Sequence, residues 1–157
     1  MKVRCRSTAY TEEQRVELGI DDDPWMSKNL GGKVTIGKEY LVFGLEVDLD
    51  RERQRVGPFV TIIPDVGYLL TLPLCLFQVT DPRVSRHWEV QSRSAGTMGL
   101  YPPSFYREPD EQSPPSWFLE GYLQSLDDDQ DPATAADFER VCDLLVAESE
   151  EPPTTVG

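Results

Sequence analysis

Residues 34–79 read VTIGKEYLVFGLEVDLDRERQRVGPFVTIIPDVGYLLTLPLCLFQV and hold most of the apolar, β-branched and aromatic side chains from which a core can be built. Val34, Ile36, Tyr40 and Val42 alternate onto one side, and Leu41, Phe43, Leu45, Val47 and Leu49 onto the other. A strand whose buried face changes between Leu41 and Gly44 must bend or carry a bulge, because one extra residue shifts every later side chain to the opposite face. Gly44, lacking a Cβ, is the expected place for the bend or for a close backbone approach. Phe59–Ile63 forms a second run, Pro64-Asp65-Val66-Gly67 supplies a turn, and Tyr68–Leu72 returns as a tight hairpin. Pro73 cannot donate to a ladder and is expected to mark a strand end or an edge. Leu74–Val79 reads as a further strand closed by Asp81-Pro82, and His87–Gln91 as one more. These short strands with Gly and Pro turns predict an α+β chain, mainly β, built on a small, strongly bent antiparallel sheet or partly open barrel.

The flanks extend this reading. Met1–Thr8 alternates Val3 and Cys5 with Lys2, Arg4 and Arg6, the pattern of a half-buried or edge strand joining the main sheet. Thr11-Glu12-Glu13-Gln14 has the form of a capping box, with Gly19 as the stop. From Arg93 to Pro115 the chain is rich in Ser, Gly and Pro, with Tyr101, Phe105 and Tyr106 to pack it. Ser116 caps an expected helix through Trp117, Phe118, Leu119, Tyr122 and Leu123, which the run Asp127 to Pro132 breaks. Thr134 is expected to cap a second helix, with Asp137 in the capping-box place and Phe138, Val141, Leu144 and Leu145 at helical spacing. One domain, 1–147, follows: a β-rich body over 1–92, an aromatic loop and two C-terminal acidic helices over 93–147, and then an acidic, Pro-rich tail, 148–157, expected to be disordered.

The net charge of −13 is unevenly placed. Residues 1–107 carry 14 acidic and 14 basic side chains, whereas residues 108–157 carry 14 acidic residues and only Arg140 against them. Such an end repels nucleic acid and anionic membrane and favours a basic protein partner. No window reaches the roughly 18 apolar residues of a membrane span, and the N-terminal stretch has no apolar signal region, so a cytoplasmic protein is expected. Cys5, Cys75 and Cys142 form neither a disulfide framework nor a metal knuckle, and an apolar strand around Cys75 would bury an inert thiol.

Catalytic and cofactor patterns fail on their specific points. His87 is the only histidine. A calcium loop starting at Asp127 would need Gly where Pro132 stands and Glu where Phe138 stands. Gly31-Gly32 leads into a strand and cradles no phosphate. The reading is therefore no enzyme, no metal and no cofactor; the one arrangement left to an enzyme is a pocket of Tyr40, His87 and carboxylates. Aromatics set among acids are what a binder of a basic surface presents: the rings supply desolvated contact and the carboxylates steer the approach. That places the candidate contact surface on Asp21, Asp22, Asp23 and Trp25, and on Trp117, Glu120, Tyr122, Asp127, Asp128 and Asp129.

The succession MKVRC, VTIGKEYLVFGL, PLCLFQVTDPRVSRHW, WFLEGYL and DFERV resembles a group of small, mostly uncharacterised bacterial single-domain proteins. That resemblance implies an SH3-like barrel with C-terminal helices, and small acidic proteins of this sort are similar to immunity proteins that neutralise toxins. The function expected is a non-enzymatic acidic binding protein, an immunity or inhibitor protein set against a basic toxin or nuclease. The alternative is a structural or regulatory small-barrel protein that self-associates, as a homodimer through a strand edge, with its acidity serving solubility.

Overall fold

The computed structural model describes residues 1–19, 29–48, 57–92, 98–106, 120–128 and 130–152. In chain order they form strand β1 (Lys2–Cys5), helix α1 (Glu12–Glu17), strands β2 (Glu39–Asp48), β3 (Gly57–Ile62), β4 (Leu70–Pro73), β5 (Phe77–Asp81), β6 (Glu89–Ser92) and β7 (Met98–Tyr101), then helices α2 (Glu120–Leu123) and α3 (Pro132–Glu150). Every strand pair is antiparallel, in the order β4-β3-β2-β1-β5, with β7 also on β2 and β6 outside β7. The sheet does not close: β4, β5 and β6 each have one neighbour among the described strands.

β2 organises this sheet because its two halves have different neighbours. Before the bend it pairs with β1, Lys2 opposite Leu41; beyond it the same edge takes β7, Leu45 opposite Leu100 and Val47 opposite Met98. The other edge holds β3 from Val42 to Asp48, but its register slips between Val42 and Gly44, leaving Phe43 as the extra residue. Val42 and Phe43 are consequently buried in succession. Gly44 is needed for space: a Cβ there would lie 1.9 Å from a ring carbon of Tyr101. Beyond the bulge both faces are covered. Leu45 shares a row with the buried Val60, while Glu46, only 7% exposed, lies under Tyr101. The Tyr101 hydroxyl donates to Glu46 Oε2 (3.1 Å) and pairs with Thr61 Oγ1 (3.1 Å), so this buried carboxylate has a hydrogen-bond partner.

Several local expectations are met. Gly67 N–H donates to Pro64 O at 3.0 Å to close the β3–β4 turn, and Thr11 and Gln14 exchange both capping-box bonds (3.2 and 2.9 Å). Others are corrected. β1 lies between β2 and β5, so of the two expectations for it the half-buried strand holds and the edge strand does not. Ile36 does not share the buried side of Val34: Thr35–Lys38 is a turn, closed by Lys38 N–H to Thr35 O (3.2 Å), and alternation does not run through it. Leu74–Leu76 is a 3₁₀ turn, so the strand starts at Phe77 and Cys75 is exposed. β6 begins at Glu89, and His87 sits in the turn before it.

Helix α3 starts earlier and ends later than the sequence pattern indicates. Asp131 is the N-cap, accepting from Thr134 N–H (3.0 Å) and Thr134 Oγ1 (2.6 Å), and Pro132 stands in the first turn. A proline there gives up no helical hydrogen bond, so it opens this helix. The helix continues to Glu150, three residues into the stretch read as a tail. Thr134, Val141 and Leu145 are buried, and the Phe138 ring stands 6.4 Å from both Phe43 and Phe105. The resulting core runs from Val3, Tyr40 and Val60 through Phe105 and Tyr122 to Leu145.

Candidate functional site

With Thr134, Phe138, Val141 and Leu145 turned inward, the far side of α3 is set by helical geometry. Glu139, Asp143, Val146 and Glu150 follow one another at spacings of four, three and four and form one exposed stripe. Glu139, Asp143 and Glu150 enter no ion pair among the described residues. The helix itself does not favour this placement. Like charges four apart repel by roughly 0.2–0.5 kcal/mol, and acids near a C-terminus oppose the macrodipole. The last turn has no basic residue of its own.

The body supplies what that last turn lacks. Asp81 fixes Arg83 through Nε–H to Oδ1 (2.9 Å) and Nη2–H to Oδ2 (2.6 Å). Arg83 then donates through Nη1 to the carbonyl of Glu151 at 2.7 Å, capping the helix end with a guanidinium. Glu148 is received by the Ser85 hydroxyl and by Arg86 N–H (2.9 Å), and Arg86 reaches Glu151 Oε1 at 2.7 Å. The hydrogen bond from Arg83 holds the Asp81 carboxyl down at about 2. Burial pushes Glu148 upward, but the bonds from Ser85 and Arg86 outweigh it and its pKa is lowered. Asp137 follows the same pattern: burial is outweighed by Arg140 Nη2–H (2.6 Å) and the Tyr122 hydroxyl (3.1 Å).

Two clefts flank this seam. One, of about 460 Å³, lies between Met1, Leu41, Arg83 and Glu148; the other, of about 430 Å³, lies between His87, Pro102, Arg140 and Leu144. Arg86 and Leu145 line both. The guanidiniums at their rims are already paired with Asp81, Asp137 and Glu151. Among the described residues no group of three or more His, Cys, Asp or Glu side chains is placed to hold a metal ion. No described helix is long and apolar enough to cross a membrane. Tyr40 and His87 do different things: the Tyr40 hydroxyl donates to Asp65 (3.0 Å), whereas His87 lines the second cleft. Cys75 is on the surface rather than inside a strand, and desolvation still pushes its thiol pKa up.

Of the residues singled out from the sequence, Asp21, Asp22, Asp23, Trp25, Trp117 and Asp129 lie outside the described residues. Glu120 opens α2, and Asp127 and Asp128 fall in the π-helical turn that follows it, with Asp127 exposed. Tyr122 is fully buried: its ring is 4.5 Å from Phe105 and its hydroxyl is bound to Asp137, so it packs the core and offers no contact surface. The stripe 139, 143, 146, 150 went unnoticed, although its helical spacing was visible in the sequence. The Arg83–Arg86 loop had no local signal, because its partners lie more than sixty residues away. Comparison with known proteins finds no matching family model, no similar curated protein and no similar solved structure.

Proposed function

We propose that this is a non-enzymatic acidic binding protein of the immunity or inhibitor kind, and that the outer stripe of α3 meets a basic protein, such as a toxin or nuclease. The supporting observation is the set Glu139, Asp143 and Glu150 around Val146, which enters no ion pair among the described residues. These carboxylates do not stabilise the helix that carries them, which favours a role outside the fold. A stripe of this kind steers a basic surface, raising association rates by roughly 10- to 1,000-fold at low salt, and Val146 supplies dry contact. The bend in β2 supports an SH3-like reading of the body as part of this proposal.

The test is a pull-down at about 50 mM and about 500 mM salt, spanning strong and weak screening. The wild type is compared with a Glu139→Lys, Asp143→Lys, Glu150→Lys variant, and captured proteins are identified by mass spectrometry. A basic protein enriched at low salt by the wild type alone is the expected result. Equal capture by the charge-reversed variant, or capture indifferent to salt, overturns the proposal.

A second reading, self-association through a strand edge with acidity serving solubility, is favoured by β6. Val90 is exposed on that edge and shares a row with Leu100 and Leu45, and Met98 is exposed in the next row opposite Val47.

A further inference from the structure

The second cleft, of about 430 Å³, has walls from three separate pieces of backbone. The turn before β6 is tied by His87 N–H to Ser85 Oγ (3.1 Å) and by Trp88 N–H to Ser85 O (3.3 Å). The chain leaving β7 makes a 3₁₀ turn at Pro103–Phe105, closed by Phe105 N–H to Pro102 O (2.9 Å) and anchored by the fully buried Phe105. α3 supplies the third wall. A concave site on ordered backbone of this size suits a small molecule.

Part of the lining is apolar. Pro102 and Pro103 have no N–H to offer, and the buried Val141 and Leu145 line the cleft with them. Leu144, 38% exposed and outside the core, adds a further aliphatic side chain. The rest is polar, and two of its donors have spare capacity. Arg140 gives Nη2 to Asp137 (2.6 Å), while its Nε and Nη1 have no hydrogen-bond partner among the described residues. The His87 ring makes no hydrogen bond among them; the carboxylate whose field it shares, Glu148, is already held by Ser85 and Arg86. Arg86, by contrast, is committed to Glu151 through both Nη groups (3.1 and 2.7 Å). The one carboxylate in the lining is Glu89, exposed at the start of β6. A guanidinium with open N–H groups, and an imidazole that keeps an N–H in either protonation state, are the donors a carboxylate takes. Apolar walls beside them strengthen those bonds by excluding water.

We infer that this cleft binds a carboxylate carried on a small apolar body, with Arg140 and His87 receiving the carboxylate and Leu144 and the two prolines facing the hydrocarbon. This goes beyond the binding of a basic partner. The ligand has the opposite sign and uses Arg140 and Leu144 of α3, not Glu139 and Asp143. A free acid and the C-terminus of a peptide with an apolar last residue share this chemistry.

The test is a titration of the isotope-labelled whole chain, followed by NMR, with four probes: hydrocinnamate, its neutral amide, a tripeptide ending in phenylalanine, and inorganic phosphate. Saturable shifts centred on residues 86–89, 102–104 and 140–145 are expected, with the amide and phosphate each about tenfold weaker than the acid. A tripeptide tighter than hydrocinnamate points to a chain terminus as the source, and a weaker one to a free acid; either supports the carboxylate. Arg140→Gln and His87→Gln should each weaken the acid about tenfold, and Leu144→Ala, which the fold tolerates, about threefold. Arg86→Gln should change it by less than about twofold, because that guanidinium is engaged elsewhere. Glu89→Gln should tighten binding by removing the one like charge. Leu144→Ala and Glu89→Gln keep the test decisive if circular dichroism shows that Arg140→Gln, which loses its bond to Asp137, does not fold. No saturation by about 10 mM acid overturns the inference. So does amide or phosphate binding as tightly as the acid, or acid binding that ignores Arg140→Gln and His87→Gln. Equal loss in Arg86→Gln and Arg140→Gln overturns it as well. The salt-dependent pull-down measures capture of a basic partner separately.

Discussion

Glu148 and Glu139 belong to the same helix and have opposite situations. Glu148 is seated in a loop of the body, between the Ser85 hydroxyl and the Arg86 backbone, with Arg83 capping the carbonyls beside it. Glu139 faces water with Asp143 one turn on, and no cation answers it among the described residues. Charge density in a segment therefore does not say which carboxylates are available to a partner. Glu148 and Glu151 are consumed in holding the helix end to the Arg83–Arg86 loop, while Glu150 beside them enters no ion pair among the described residues. The middle of its outer face keeps its field.

The sharpest way to separate the two faces is to remove apolar neighbours. Leu145→Ala should destabilise the protein by about 2–5 kcal/mol, the range for a large-to-small change at a buried site, whereas the exposed Leu144→Ala should move stability by no more than about 0.5 kcal/mol. Urea midpoints at unchanged m-value check this; equal effects would mean that α3 is not seated as described. Next in size, Glu148→Ala leaves the Ser85 hydroxyl and Arg86 N–H without their acceptor and should cost about 1–2 kcal/mol, while Glu139→Ala should leave the thermal midpoint within about a degree.

Acid gives a smaller, graded effect. Asp81 has a folded-state pKa of about 2, below the roughly 3.9 of an unfolded aspartate. Its contribution to stability is thus present above about pH 4 and is lost as pH falls toward about 2, on the order of 1 kcal/mol once solvent screening is allowed for. Glu148 and Asp137, also lowered, act in the same direction. Hydrogen exchange of the last turn of α3 should accelerate across that window, and Asp81→Asn should remove much of the acceleration. Smallest of all, Arg86→Gln should lower the thermal midpoint slightly at low salt and not at high salt, since its pair with Glu151 is exposed. A drop that persists in high salt would show that Arg86 acts by packing.

How much of this could be read beforehand depended on the range of the interaction. Gly44 was legible because a change of buried face leaves a local trace, and the Thr11 box and the Pro64–Gly67 turn because each involves residues three apart. Pro132 misled because proline both ends and begins helices, and only the Asp131 cap decides which. Cys75 misled because a three-residue 3₁₀ turn replaced the start of a strand and turned the thiol outward. The stretch from Glu148 onward had the composition of a disordered tail; Arg83 and Ser85 hold its first residues, and no window of sequence contains both sides of that contact. Tyr122 was visible as an aromatic among acids, but its burial comes with Phe105 and Asp137, which lie in other segments.

By itself the sequence determined a mainly antiparallel sheet, the place where its long strand bends, and an acidic C-terminal third, because periodicity, turn chemistry and charge are properties of neighbours along the chain. Only the tertiary structure decided which carboxylates are neutralised and which stay open. A hydrogen bond or an ion pair acts over roughly 3–4 Å, and residues as far apart as Arg83 and Glu151 come that close only when the chain has folded.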